Sequence, residues 1–221
     1  MKPMPTFSQR LESTFALMAR PLTPEDGEPE PSVAQAESRL GLRLPAVLRA
    51  YYRLAGRYDR FNRAHNRLRR PGEWSVDSGK LVFLEENQCV VVWGVEVSTS
   101  PEEDPPVYQG TIIRGRPTEW HREHESCSEF LLVILHLQAV YEGYAFLGGS
   151  EITPAALERF LTGWTPVGRI KELRALCREG GAACVLEDEG TSQLYVGGRT
   201  ERAFQAIEAE LEAVGVGLDH Y

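Results

Sequence analysis

Three side chains of the kinds that bind metal ions recur at three-residue spacing, in His121, His124 and Cys127. Imidazole and thiolate are ligands that zinc prefers, and this spacing would bring them onto one face of a helix. A fourth ligand at a recognised spacing is missing from the sequence around them. The pattern therefore allows two interpretations: a small metal-dependent hydrolase that uses His121 and His124, or exposed polar residues that lead into the next helix.

No other group of residues matches a recognised catalytic pattern. The sequence has no H-E-x-x-H zinc motif, no G-x-S-x-G nucleophile elbow, and neither of the glycine-rich loops that cradle nucleotide phosphates. Cys89 and His136 each lie in a strongly apolar stretch, where such side chains are most often inert parts of a core. We therefore predict a protein that is not an enzyme, with no catalytic residue, no bound metal and no cofactor.

Acidic side chains gather in two short stretches, at residues 85–86 and 102–104. Neighbouring acids on a strand point to opposite faces, so they make poor acid–base pairs, and a solvated rim is the better interpretation. The prolines at 105–106 should hold the second stretch stiff. Trp120, with charged neighbours, is expected to be an exposed interface anchor. The predicted partner-binding residues are Glu85, Glu86, Glu102, Glu103, Asp104 and Trp120.

The elements that must position these residues centre on a β-hairpin. Residues 81–84 and 89–95 are two apolar, β-prone runs separated by four polar residues, which is typical of paired antiparallel strands. Because both runs are nearly continuously apolar, we expect both faces of the sheet to be covered. Residues 126–141 open with a capping box and are apolar on most sides, which predicts a helix buried against that sheet.

The remaining elements follow from apolar periodicity. Helices are expected at residues 7–19, 33–40, 45–55, 154–161 and 203–214, with another from 170 to the glycines at 180–181, and strands at 182–186 and 193–196. Arg57, Arg60, Arg63 and Arg67 would share one face if their segment is helical. The predicted fold class is α+β: N-terminal helices, a central mostly antiparallel sheet with a buried helix, and a C-terminal β-hairpin and helix. Residues 1–31, a helix and a proline-rich linker, should precede an α+β domain over residues 32–221.

The charge of the chain restricts its partners. Its 221 residues carry a formal net charge of −8, with +7 on residues 41–80 and −9 on residues 81–160. A negative protein is a poor general binder of nucleic acid. No apolar run reaches the ~20 residues that span a bilayer, and no signal peptide is recognised. A cytoplasmic protein is therefore expected, with its four scattered cysteines as free thiols.

Two groups of residues resemble a known family. The first group is E-E-N-Q at 85–88, W-G at 93–94 and D-P-P-V-Y at 104–108; the second is E-x-x-L-G-x-x-L-P at 37–45, followed by Y-Y at 51–52 and Gly56. Both are similar to the SUKH superfamily, the fold of the Smi/Knr-type cell-wall regulators and of many bacterial toxin-immunity proteins. The resemblance covers roughly residues 32–141 and extends more loosely to the C-terminal hairpin and helix.

The resemblance implies a non-catalytic protein-binding domain. An immunity protein of a polymorphic or contact-dependent toxin system neutralises a cognate toxin, often a nuclease, whose basic cleft would attract an acidic surface. The expected partner is then a basic toxin domain, with no direct contact to nucleic acid or membrane. A regulatory scaffold of the Smi/Knr type is the alternative, and the family has no shared catalytic residues to transfer to this chain.

Overall fold

The apolar run that follows Ser126 forms the helix at the centre of the structure. In the computed structural model this helix spans Cys127–Gln138, and the Ser126 hydroxyl caps it by accepting a hydrogen bond from the Glu129 N–H (3.3 Å). Ten of its twelve residues are buried, which requires that the helix be covered on nearly all sides. The prediction of a buried helix is therefore confirmed.

The structure describes residues 4–188 and 190–221, which form seven α-helices and two six-stranded antiparallel sheets. The helices are α1 (Phe7–Met18), α2 (Glu30–Leu40), α3 (Ala46–Ala55), α4 (Asp59–Asn62), α5 (Cys127–Gln138), α6 (Pro154–Phe160) and α7 (Glu201–Ala213). The first sheet contains β1 (Arg67–Leu68), β2 (Ser75–Asp77), β3 (Lys80–Glu85), β4 (Val91–Glu96), β5 (Val107–Thr111) and β6 (Glu119–His124). The second contains β7 (Phe146–Ile152), β8 (Thr165–Ile170), β9 (Leu173–Arg178), β10 (Gly181–Leu186), β11 (Ser192–Gly198) and β12 (Asp219–His220). The predicted α+β class is confirmed.

Helix α5 lies between the two sheets. On one side Phe130 packs against Phe83 of β3 and Trp93 of β4, with ring centroids 6.1 and 6.2 Å apart. On the other side α5 packs on β8, β9 and β10. A second apolar cluster, which includes Leu157 of α6 and Ile207 of α7, covers the far face of the second sheet.

The predicted C-terminal hairpin is present, and the structure adds where it lies. Its strands, β10 and β11, are in the middle of the second sheet, in the order β12-β7-β11-β10-β9-β8. The side chains of β10 are buried on both faces, because α5 packs on one face and the apolar cluster that includes α6 and α7 covers the other. The apolar pattern of the hairpin sequence indicates that its strands are buried. It does not indicate which other strands pair with the edges of the hairpin.

Residues 170–178 form strands instead of the predicted helix. Ile170 ends β8, Leu173 begins β9, and the two are paired across a turn in which Lys171 has a φ of 49°. The three-residue spacing of Ile170, Leu173 and Leu176 fits a helix, but it also fits a hairpin with a two-residue turn. Packing of both strands against α5 favours the hairpin.

Two further expectations about polar residues are wrong. Cys89 is exposed in the turn between β3 and β4, with a φ of 60°, so it is not part of the core. The arginines of residues 57–67 do not share a helix face, because α4 ends at Asn62 and Arg67 lies in strand β1. The condition for a shared face, a helix through the whole segment, is therefore not met.

The N-terminal segment contributes to the main core. Leu11, Phe15 and Met18 of α1 are fully buried in the same cluster as α3 and α5. The proline-rich stretch that follows is held by Arg20, whose guanidinium donates to both Asp26 carboxylate oxygens at 2.7 and 2.8 Å. These hydrogen bonds lower the pKa of Asp26 to about 2. The division of the chain at residue 31 stays a prediction.

Candidate functional site

An exposed acidic group lies in the loop from β4 to β5, which we call the acidic loop and define as residues 98–104. The side chains of Glu102 and Glu103 are exposed there. Neither forms an ion pair or a side-chain hydrogen bond with the described part of the chain. Their predicted exposure is therefore confirmed, and their role in binding a partner stays a prediction.

The acidic loop is fixed by backbone hydrogen bonds to the segment that begins α3. The Val47 N–H, in the first turn of α3, donates to the Glu103 carbonyl oxygen (3.0 Å), and the Arg43 N–H donates to that of Ser98 (3.3 Å). Such first-turn N–H groups have no partner within their own helix, so the loop satisfies one that would otherwise be unpaired. The loop is consequently ordered before any partner arrives, and less entropy is lost on binding.

Asp104 has a different role from its two neighbours. Its Oδ1 accepts a hydrogen bond from the Ser128 N–H (2.7 Å), and its Oδ2 accepts from the hydroxyls of Ser128 (2.7 Å) and Ser126 (2.8 Å). A carboxylate at the start of α5 also interacts favourably with the helix dipole. Asp104 therefore secures the loop to α5, and its use as a contact residue would compete with that structural role.

A cavity of about 560 Å³ opens beside the acidic loop. Glu103 and Thr99 form one side of it, and Arg43 and Arg49 contribute to the other. Arg49 is neutralised by ion pairs with Glu30 and Glu37, whereas the Arg43 side chain has no ionic partner among the described residues. The cavity is thus a mixed polar groove next to the two free carboxylates.

The other acidic pair, Glu85 and Glu86, is not a free acidic surface. Glu85 is only 7% exposed, and its Oε2 accepts hydrogen bonds from Arg67 (2.5 Å) and Arg69 (3.2 Å). Burial pushes the pKa of this carboxyl upward, but the hydrogen bond from Arg67 and the nearby arginine charges leave it lowered overall. Glu86 accepts the Gln88 N–H (3.1 Å) within its own turn. Both residues therefore stabilise the β3–β4 hairpin.

The six predicted contact residues do not form one surface. Glu85 and Glu86 precede β4, and the acidic loop follows it, so the two groups lie at opposite ends of a six-residue strand. At the usual rise per residue they are separated by roughly 17 Å. The partner-binding role of each residue stays a prediction, but one small partner surface would not cover both ends.

Trp120 covers the outer face of the first sheet. A Cβ at Gly94 would lie 3.2 Å from Trp120 Cη2, and one at Gly110 would lie 3.0 Å from its Cε3, so the indole rests on both glycines. Val82 and Val92, which share this face, are each 2% exposed. The indole Nε1 is buried and has no acceptor among the described residues. Trp120 is therefore half-buried on the sheet and not fully exposed as expected, and it helps to cover the outer face of the hairpin.

The histidine and cysteine triplet is not gathered into a ligand set. His121 and His124 lie on strand β6, where His121 approaches Glu123 (3.8 Å) and His124 Nδ1 accepts the Ser126 N–H (3.0 Å). Cys127 begins α5 and is fully buried, and burial raises the pKa of its thiol. Within residues 4–188 and 190–221, no three His, Cys, Asp or Glu side chains are arranged to hold a metal ion. The predicted helix face for these ligands is wrong.

His136 also differs from a working catalytic base. It is fully buried on α5, with Nδ1 donating to the Leu132 carbonyl oxygen (2.7 Å) and Nε2 without a partner among the described residues. Burial lowers the pKa of its imidazole to about 4. The ring is therefore neutral at physiological pH and has no contact with solvent, as expected for a core histidine.

Sequence reasoning missed the residues that fix the acidic loop. Arg43 and Val47 act through backbone N–H groups, which no side-chain pattern reveals. Ser126 was recognisable as a helix cap, but its second contact, with Asp104, joins residues 22 positions apart and depends on the tertiary fold. The only available local signal was the position of Asp104 before two prolines.

The described residues include no helix with both the length and the apolar character needed to cross a membrane. Comparison of the chain with models of known protein families, with curated proteins and with solved structures finds no match.

Proposed function

We propose that the protein is a non-catalytic, cytoplasmic protein-binding domain that neutralises a basic toxin domain, in the manner of an immunity protein. The resemblance of residues 32–141 to the SUKH superfamily supports the class of function. A nuclease is the favoured target, because its substrate cleft must attract phosphate and would equally attract carboxylates. The contact surface is the acidic loop with the groove beside it.

One observation carries this proposal. Glu102 and Glu103 are exposed, form no ion pair with the described residues, and lie on a loop that is fixed to α3 and α5. Two other acids near the groove, Glu30 and Glu37, are already paired with Arg49. A fixed loop presents its charges in one geometry, so little ordering is needed when a basic surface docks. Unpaired charge also attracts an approaching partner over about a Debye length.

The neutralising activity is tested by co-expression. Each candidate toxin domain encoded beside this gene is expressed alone and together with the protein, and cell growth is measured. We expect growth to be lost with one candidate and restored by co-expression, with a complex that purifies intact. If no neighbouring product is toxic, or if none is neutralised, the immunity function is wrong.

The contact surface is tested by reversing charge on the purified pair. The double variant Glu102→Lys/Glu103→Lys should lower the association rate by about tenfold at low ionic strength, with a smaller effect as salt rises. Its matched control is Glu158→Lys/Glu212→Lys, which makes the same change of net charge on exposed, unpaired residues of α6 and α7. Equal effects of both double variants would show that only net charge matters.

The sign of the partner's charge is tested separately with the double variant Arg114→Glu/Arg116→Glu. These arginines are exposed in the β5–β6 turn and have no partner among the described residues, so their reversal should leave the fold intact. We expect no decrease in the association rate. If this variant abolishes binding while Glu102→Lys/Glu103→Lys has no effect, the partner is acidic and uses the opposite end of the sheet.

A further inference from the structure

A second polar cavity, of about 570 Å³, lies between α2 and the short turn Pro71–Glu73. Its polar lining comes from Glu28, Ser32, Gln35, Arg39 and Arg70. None of these residues lines the groove beside the acidic loop. The cavity is therefore a separate feature of the molecule, with both acidic and basic groups in its wall.

Glu28 is an incompletely satisfied buried carboxylate. Its side chain is 7% exposed, and Oε1 is buried without a hydrogen-bond donor among the described residues. The nearest cation is Arg70, whose Nη1 lies 4.0 Å from Oε1, which is too far for a hydrogen bond. A buried charged oxygen with no donor is costly, so the site favours the entry of a group that can donate to it.

The two arginines retain unused donors. Arg39 uses Nη2 for the carbonyl oxygens of Pro71 (3.1 Å) and Trp74 (3.2 Å), which leaves Nη1 and Nε without partners in the described part of the chain. Arg70 uses Nη2 for Asp59 (2.6 Å). Their remaining N–H groups suit a carboxylate, which can accept two hydrogen bonds from a guanidinium.

We propose that this cavity binds a free α-amino acid. The ammonium group of the ligand donates to the Glu28 carboxylate, and the ligand's carboxylate accepts from Arg39 and Arg70. A simple cation would be repelled by the two arginines, and a simple anion would leave Glu28 without a donor. A compact zwitterion satisfies both, and the cavity volume accommodates any proteinogenic side chain.

The test is calorimetric titration of the full-length protein with each proteinogenic amino acid at up to roughly 10 mM, with thermal denaturation as a second readout. We expect at least one amino acid to bind at a single site and to raise the melting temperature. Its N-acetyl derivative, without the ammonium, and its amide, without the carboxylate, should each bind at least tenfold more weakly. If no amino acid binds, the gap at Glu28 is filled by water only and the proposal is overturned.

Two variants place the ligand in this cavity. Glu28→Gln should weaken binding at least tenfold, and Gln35→Trp, which leaves the buried carboxylate untouched, should block the cavity and abolish binding. The matched control is Ala34→Trp, on the exposed side of the same helix, which should bind normally. Normal binding by a folded Gln35→Trp protein would place the ligand elsewhere and refute the assignment.

Discussion

The buried imidazole of His136 predicts a specific dependence of stability on pH. This side chain has 0% exposure, and its pKa falls from 6.5 to about 4 because burial disfavours the charged form. In the unfolded chain the same imidazole binds a proton below about pH 6.5. Between the two values the unfolded state holds a proton that the folded state does not, so acidification favours unfolding.

The size of this effect follows from the separation of the two pKa values. A gap of about 2.5 pH units corresponds to about 3 kcal/mol of stability, which is fully present above pH 6.5 and is lost as the pH falls towards 4. Replacing His136 with leucine removes the titrating group and the unpaired Nε2 while nearly conserving volume. The variant should therefore lack this part of the pH dependence.

Urea denaturation of wild type and His136→Leu at several pH values between about 4.5 and 7.5 provides the measurement. We expect the two free energies of unfolding to differ by less than ~1.5 kcal/mol at neutral pH and the variant to become relatively more stable as the pH falls. Taking the difference between the proteins cancels the carboxylates that titrate in the same range. Parallel curves would refute the reasoning, because they would mean that His136 binds its proton equally in both states.

Three further changes test other parts of the structure. Asp104→Ala should lower the free energy of unfolding by about 1–3 kcal/mol in urea denaturation, because α5 loses the acceptor at its first turn, whereas Glu103→Ala should change it by less than about 0.5 kcal/mol. Phe204→Ala should cost about 3–5 kcal/mol, since its ring is 5% exposed between α7 and the second sheet, and an unchanged melting temperature would mean that α7 is not docked. Stability should also fall as the pH drops from about 4 towards 2, where Asp26 takes up a proton. Arg20→Met should reduce that loss in acid denaturation followed by circular dichroism, while the hydrogen bonds from Thr23 keep part of it.

Elements whose burial is one-sided or complete were predictable from the sequence. The final helix has an apolar stripe that includes Phe204, Ile207 and Leu211, and α5 is apolar on nearly all sides, so each was recognised with its approximate limits. The hairpin of β8 and β9 was not, because three-residue apolar spacing is shared by a helix face and by strands joined by a tight turn. Only the neighbouring α5 distinguishes the two, and that contact is tertiary.

At the candidate site, too, the sequence predicted local features but not the contacts that depend on the tertiary fold. The sequence indicates that Glu102, Glu103 and Asp104 form an acidic group, and the first two are indeed exposed and unpaired. It gives no sign that Asp104 is committed to α5, because that contact joins residues 24 positions apart. The sequence also does not distinguish Glu85 from this group. Glu85 is buried because it pairs with Arg67 and Arg69, from a preceding strand and turn.

The way the arginines are used explains why a chain with a strongly basic segment still presents an acidic surface. Most arginines between residues 60 and 70 are held by acids near them in space: Arg63 pairs with Glu73 (3.2 Å), Arg70 with Asp59 (2.6 Å), and Arg67 and Arg69 with Glu85. Charges paired at these distances largely cancel at the range over which a partner approaches. The acidic loop carries three carboxylates, and Arg43, which lines the cavity with Glu103, is a single cation without an ionic partner among the described residues, so the local charge stays negative. Under the proposed function, a basic partner is therefore attracted by residues 102–104, even though the basic segment holds more charge.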